Sequence, residues 1–566
     1  MESPDTYDDE PTNKKENPEL QKKIVEAVFS SEALLTPEEL EKKYPERKLS
    51  PEAMVTRVGP SPTGFMHIGG IYMALISERF AHQTDGIYYL RIEDTDRKRE
   101  VEGARKIIVD SLHNFELDPD EGERIDGLEH GNYGPYCQSE RKDIYGSYIK
   151  SLLTTGDAYL CFCSEEELET MQKMQETLGA RRGYYGPWAK WRDVPQEDIL
   201  DELSKGTPYV IRFKSQGDPD KTFIHHDLLK GDVVLSENDL DAVIMKSDGL
   251  PTYHLAHAVD DHLMRTSHVL RGDEWLPSVP LHYELFKALG FNLPEYAHIS
   301  PINKLDNGNK RKLSKRKDPE ANVSFYQQKG YPPEAVLEYL LNLANSDFED
   351  WRKENPDASY KEFELKMSRL ANSNGPLFDE NKLRDTAKEI ISKMSAEQVF
   401  ERVLNWAEIN DNQFFVLLNN NKEYWISILG IERGSGSNSR KDISTWSEVY
   451  GFYEFFNKEK YQLSNWKSFT SIFDTNEIKR ILNEYLTIYD ENDSKEEWLE
   501  KIRQLCAKFN LAPNLKIYKA DKANFKGHIG DLTQCIRFAI TGRTQSPDIF
   551  EITKILGKDE VLRRLT

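Results

Sequence analysis

Arg57-Val-Gly-Pro-Ser61-Pro-Thr-Gly64-Phe-Met-His67-Ile-Gly69-Gly70 gathers groups that suit an anion. His67 is placed to donate to a phosphoryl oxygen, and Gly64, Gly69 and Gly70 lack the Cβ atoms that would hold a phosphate away. Upstream, Ala53-Met-Val-Thr56 reads as a short buried strand; downstream, Leu75, Ile76 and Phe80 recur at helical spacing. Strand, turn and helix opening together present unpaired backbone N–H groups and partial positive charge at one point. The same outline also serves ordinary turns, and a lone histidine is often a plain loop residue. A second cluster, Lys312-Leu-Ser314-Lys315-Arg316, follows 245 residues after His67 within a run of positive charge that begins at Lys310. Alone, it reads equally as a solvated basic loop.

Between the two clusters lie Leu90-Arg-Ile-Glu93-Asp-Thr-Asp-Arg97, Leu250-Pro-Thr-Tyr253-His-Leu-Ala256, Asp260-Asp261-His262 and Arg271-Gly-Asp-Glu274-Trp275. In this order the set resembles class I aminoacyl-tRNA synthetases, and within them the bacterial-type glutamyl-tRNA synthetases, over roughly residues 53–566, densely to about 320. The resemblance implies an α/β fold: a Rossmann-type catalytic domain in two halves, 53–137 and 243–320, the second carrying the Lys-Leu-Ser-Lys-Arg loop. Residues 138–242 would form an inserted α+β domain that holds the tRNA acceptor stem. Residues 321–375 would form a helical stem-contact region, and 376–566 an all-α anticodon-binding region entered at Asn374-Gly-Pro-Leu-Phe-Asp379.

The reaction implied is glutamate–tRNA ligation, with L-glutamate, ATP and tRNA(Glu) as substrates. The α-carboxylate attacks the α-phosphate of ATP; since this nucleophile is already an anion, orientation and charge stabilisation suffice without a general base. His67, Gly69 and Gly70 would hold phosphates, Lys312 and Lys315 would neutralise pyrophosphate, Ser314 would join the ATP loop, and Glu274 with Trp275 would contact the nucleoside. Mg²⁺ would arrive with ATP and need no protein cage. Arg57 and Arg271 match positions that contact the amino acid, and Arg suits carboxylates because its fork pairs bidentately. Which arginine reads the side chain stays open. Ser61 and Glu93 would take the ammonium group and Tyr253 would close the pocket. His257 stands where Asn is frequent, next to the ammonium site, so its titration would make affinity pH-dependent. The resemblance also implies that activation requires bound tRNA. A glutaminyl-tRNA synthetase and a catalytically inactive tRNA-binding paralogue are the alternatives.

Three further departures from the family pattern stand out. Gly70 replaces a second histidine, leaving that donation to the backbone. Gly59 replaces a common alanine, a change expected to be trivial. Cys161-Phe-Cys163 resembles the start of a zinc site in some members, with Tyr184 or Tyr185 as a further match, but no third cysteine follows; zinc is not expected.

The chain has 566 residues, of which 30% are charged, with a net charge of −22. That charge repels bulk polyanions. Residues 501–566, however, hold thirteen Lys/Arg against six Asp/Glu, a local excess of seven. Five scattered cysteines, mean hydropathy of −0.68 and the lack of any run near ~18 apolar residues predict a cytoplasmic protein without a membrane span. A monomer is expected. Residues 1–52 lie outside the resemblance; the first sixteen read as disordered. Asn17-Pro-Glu19 reads as a helix start with Leu20, Ile24 and Val28 on one face, and Thr36-Pro-Glu-Glu39 as a capping box opening a second helix packed on the catalytic domain. Short apolar runs at 87–92, 243–245 and 267–270 predict parallel strands of one sheet, and 209–213, 223–227 and 231–235 predict strands inside the insertion. Val336, Leu337, Leu340, Leu341 and Ala344 form a core stripe. Gly434–Ser439 reads as a flexible loop.

Overall fold

The computed structural model describes residues 17–29, 33–370, 375–433, 439–459, 461, 469 and 471–566. The expected disorder of residues 1–16 and the flexible loop at 434–438 lie outside these. The chain forms two compact units, Met1–Ser324 with Leu340–Phe378 and Phe325–Tyr339 with Asp379–Thr566.

In the first unit, Val55–Val58 is buried at every position and runs parallel to Ile87–Leu90, with Val55 opposite Ile87 and Val58 opposite Leu90. The crossover between them is the helix Ile68–Gln83, which buries Ile71, Leu75, Ile76 and Phe80. A second parallel pair joins His268–Gly272 to Glu295–Ile299. Its first strand lies beside Val55: the Ser267 N–H donates to the Val55 carbonyl at 3.1 Å, and the Val55 N–H donates to the Ser267 hydroxyl at 2.8 Å. From this junction the chain winds in opposite directions, so the carboxyl ends at Val58 and Gly272 open onto a topological switch point, where α/β sheets bind ligands.

Three strand assignments need correction. Thr222–Asp227 and Gly231–Ser236, expected in the insertion, form an antiparallel hairpin that joins the catalytic sheet, with Asp227 opposite Tyr296. Val243–Met245, expected in the catalytic sheet, instead pairs antiparallel with Val210–Phe213, which pairs with Ala158–Cys161. A short apolar run carries burial information but no partner information.

The helix Pro18–Phe29 buries Ile24, Val25 and Phe29, with Leu20 and Val28 at the margin. The helix Pro37–Lys43 opens with the capping box of Thr36 and Glu39. Apart from a two-residue pairing of Leu511–Ala512 with Gly527–His528, the second unit is helical among the described residues. Several of its helices begin with boxed caps, such as Ser395 with Gln398 and Ser494 with Glu497, and its core is aromatic, around Phe414, Trp425, Tyr485 and Trp498. The stripe Val336, Leu337, Leu340, Leu341 and Ala344 is buried. No helix among the described residues is long and apolar enough to cross a membrane.

Candidate active site

The turn after Val58 ends at His67, which caps the helix Ile68–Gln83: its Nδ1 accepts from the Gly69 N–H at 2.8 Å. Nε2 therefore carries the proton and donates to the Leu313 carbonyl at 3.1 Å. This bond joins the two basic and glycine-rich clusters across 246 residues, and the Val323 N–H reinforces it by donating to the Met66 carbonyl at 3.1 Å. Burial pushes His67 below its ordinary pKa, against the pull of the Leu313 bond and with Lys315 and Lys312 adding to the depression. Gly64 sits at φ +121°, a region closed to residues with a Cβ.

Lys312 and Lys315 reach the same edge. Lys312 Nζ lies 3.0 Å from Glu274 Oε1, and Lys315 donates to the Phe65 carbonyl. Their loop is fixed from behind by Asp318, which accepts from the Ser314 N–H at 2.9 Å and from both terminal nitrogens of Arg311 at 2.6 and 2.8 Å. Each proposed phosphate donor thus already has a partner within the chain: the Gly69 N–H on His67 Nδ1, the Gly70 N–H on the His67 carbonyl at 2.7 Å, Lys312 on Glu274.

Beside this edge is a buried ionic cluster. Arg57 contacts Asp261 at 3.3 and 3.4 Å and the Leu270 carbonyl at 3.4 Å. Arg91 contacts Asp261 at 2.6 Å, Glu93 at 2.9 Å and, more distantly, Asp260 at 3.8 Å; Arg141 donates to Asp260 at 2.6 Å. Burial pushes Glu93 upward while Arg91 and Arg57 pull it down. Ser61 is exposed on the adjoining turn, which is tied to Glu93 through its N–H to the Pro60 carbonyl at 3.0 Å. Gly59 is not a trivial change: a Cβ there would stand 2.3 Å from Glu93 Oε1, so the carboxylate lies where an alanine would force it aside.

Tyr253, at the start of the helix Tyr253–Leu263, packs on Trp275 with ring centroids 4.1 Å apart. His257 lies behind it and is fully buried, its Nε2 2.9 Å from the Tyr296 hydroxyl and its Nδ1 2.5 Å from Asp261 Oδ2. Burial drives it to about 3 against Asp261, so the expected titrating contact becomes a neutral, packed ring. Arg271, also buried, differs from the other arginines: Nε donates to His298 Nε2 at 3.0 Å, the terminal nitrogens meet His282 Nδ1 at 3.3 Å, and the guanidinium lies 4.7 Å from the Tyr296 ring centroid.

Sequence reasoning overlooked Asp227, His282 and His298, and gave no role to Arg91 or Asp261. The available signal was a histidine inside the apolar strand Glu295–Ile299, where an imidazole needs a partner. Beside the strand Ala158–Cys161, the Tyr184 hydroxyl stands 3.4 Å from Cys161 Sγ and 3.6 Å from Cys163 Sγ, next to a cavity of about 440 Å³.

A parallel sheet with its switch point lined by a helix terminus, two lysines and buried arginines defines a nucleotide-dependent enzyme of carboxylate substrates. The chain belongs to the class I tRNA synthetases of the E and Q group: the description "tRNA synthetases class I (E and Q), catalytic domain" matches residues 53–384, and "Anticodon binding domain" matches 398–566. It is 46% identical to a glutamate–tRNA ligase of Acetivibrio thermocellus, over 92% of this chain and 95% of that protein. It is 45% identical to one of Sorangium cellulosum, over 94% and 97%. A crystal structure of a glutamate tRNA ligase from Elizabethkingia meningosepticum, in complex with its amino acid, superposes with a TM-score of 0.73 at 28% identity, covering 91% of this chain and 98% of that one.

Proposed function

We propose that this chain is a glutamate–tRNA ligase that activates L-glutamate with ATP and transfers it to the 3′-terminal adenosine of tRNA(Glu). The observation that supports the reading is the bond from His67 to Leu313, which joins the His67 turn to the loop at 312–316. The substrate α-carboxylate attacks the α-phosphorus, the bond to the β,γ-pyrophosphate breaks, and Lys312 and Lys315 leave Glu274 and the Phe65 carbonyl to balance the departing charge. His67 and the Gly69 and Gly70 N–H groups orient phosphates, Ser314 lines the loop, and Trp275 with Glu274 faces the nucleoside. Mg²⁺ travels with ATP. Ser61 and Glu93 take the ammonium group, and Arg57, Arg271 and Tyr253 enclose the carboxylates. In the second step a terminal ribose hydroxyl attacks the anhydride carbonyl, AMP leaves, and the hydroxyl proton passes to the released phosphate or solvent. The inserted segment holds the acceptor end, and the enzyme acts as a cytoplasmic monomer.

Charging of tRNA(Glu) with labelled glutamate tests this directly. Glutamate is incorporated and glutamine is not, and ATP–pyrophosphate exchange is negligible until tRNA is added. Preference for glutamine would overturn the assignment, and brisk exchange without tRNA would overturn the coupling.

A further inference from the structure

Three of the buried arginines are matched by carboxylates: Arg57 by Asp261, Arg91 by Asp261 and Glu93, Arg141 by Asp260. Arg271 meets imidazole nitrogens instead, at His298 Nε2 and His282 Nδ1. A guanidinium only donates, so each of those nitrogens must offer a lone pair and each ring must be neutral. The opposite nitrogens fix the tautomers. His298 Nδ1–H donates to Asp227 Oδ2 at 2.6 Å. His282 Nε2 is 3.1 Å from His254 Nδ1, so a proton on His282 Nε2 donates there. Asp227 is itself held: its Oδ1 accepts from the Leu229 N–H at 3.0 Å and the Lys230 N–H at 2.8 Å, and the His298 backbone N–H adds 3.1 Å to Oδ2. These donors keep it ionised.

We propose that Asp227, His298 and His282 are positioning residues that hold Arg271 by neutral acceptors, so that no carboxylate touches its guanidinium until one of the amino acid's pairs with it. This rests on the ligase reading above. A carboxylate in place of either imidazole would fix Arg271 equally well but would cancel the attraction; an apolar neighbour would leave the charge free and the fork unoriented. Asp227 acts at one remove. By accepting from Nδ1 it keeps the proton off Nε2, where it would face the Arg271 Nε–H donor to donor.

His225 completes a buried cluster with Asp227 and His298 whose ligand atoms lie within 4.8 Å of one another, a spacing that a divalent cation would also accept. Asp227 and His298 already spend these atoms on each other, on Arg271 and on backbone N–H groups, which favours the hydrogen-bonded reading.

The test uses the full-length enzyme with tRNA(Glu). Asp227→Asn preserves shape but can present an amide N–H to His298 Nδ1, driving the proton to Nε2. It raises KM for glutamate on the order of 10–100-fold, leaves KM for ATP within about twofold, and keeps the melting curve near wild type. His298→Ala does the same, and His298→Gln, whose amide oxygen can stand in for Nε2, restores most of the loss. Should Asp227→Asn fail to fold, the contrast of His298→Ala with His298→Gln decides alone. An unchanged KM for glutamate, an equal loss in both His298 variants, or one equivalent of zinc in the wild type that disappears in Asp227→Asn overturns the proposal. A wild-type enzyme that charges no glutamate overturns instead the reading on which it rests.

Discussion

Neutral imidazoles buried beside the arginines give the catalytic unit a distinct response to acid. Burial lowers His254 to about 4, with Arg271 adding to it, and lowers His257 to about 3 against Asp261. His282 is pushed well below its usual range, again first by burial. In the unfolded chain these rings protonate near 6.5. Between 6.5 and about 4 the unfolded state therefore binds protons that the native state refuses, so stability is complete above the unfolded value and falls as pH falls. His257→Gln removes one such site, and its stability loses about 1.4 kcal/mol less per pH unit across that window. Urea unfolding at pH 7 and at steps down to 4.5 measures the slope; a slope equal to wild type would show that His257 is charged in the fold. The resemblance suggested a titrating contact because it sets position 257 next to the ammonium site, whereas the burial comes from Tyr296 and Phe286 on distant elements. Arg57, His67, Lys312 and Arg271 could be picked out as candidates because each sits in a short ordered motif. Asp227 and His298 were not, because what defines them is a cross-strand meeting between runs about seventy residues apart.

At the scale of elements, the sequence was most informative where a cap or a period is local. Thr36 with Glu39 specified a helix start, and Val55–Val58 and Ile68–Gln83 followed from apolar spacing. It was least informative about which sheet a strand joins, as Val243–Met245 and the Thr222–Ser236 hairpin demonstrate. The N-terminal arm shows what local reading omits. Gln21 donates to the Leu153 carbonyl at 2.5 Å and accepts from the Gln196 amide at 2.9 Å, so the helix Pro18–Phe29 fastens Lys142–Thr155 to Gln196–Ser204. Further along, Arg47 forms a bidentate pair with Glu121 at 2.8 Å on both arms and lies 3.9 Å from the Tyr133 ring centroid. The pair is nearly buried, with 8% and 12% of the two side chains exposed, so removing one partner strands the other. Arg47→Ala is expected to destabilise the first unit by about 3–5 kcal/mol, read as a shift in its denaturation midpoint with glutamate KM unchanged in the folded protein. A loss under about 1 kcal/mol would place the arm among dispensable surface segments.

Over the whole molecule, a net charge of −22 must coexist with binding a polyanion, and the distribution of partners indicates how. Many cations of the basic C-terminal stretch are already spent: Lys501 on Asp493, Lys508 on Glu484, Lys526 on Glu477, Arg564 on Glu560. Lys516, Lys519 and Lys522, on and just after the helix Leu515–Ala520, are exposed. Phosphate binding draws on such cations, since each phosphate neutralised releases counterions and steepens the salt dependence of affinity. Substituting these three by alanine should lower the log–log salt slope of tRNA binding by about two, at the ~0.7 per contact typical of single strands, and weaken binding most at low salt. The triple alanine variant of Lys501, Lys508 and Lys526 changes net charge by the same amount and is the control. Because its cations are bound internally, it should move the slope far less. Filter binding across a salt series separates the two cases. Equal slopes in both variants would mean that tRNA responds to total charge alone, and that the local excess has no bearing on where the RNA lies.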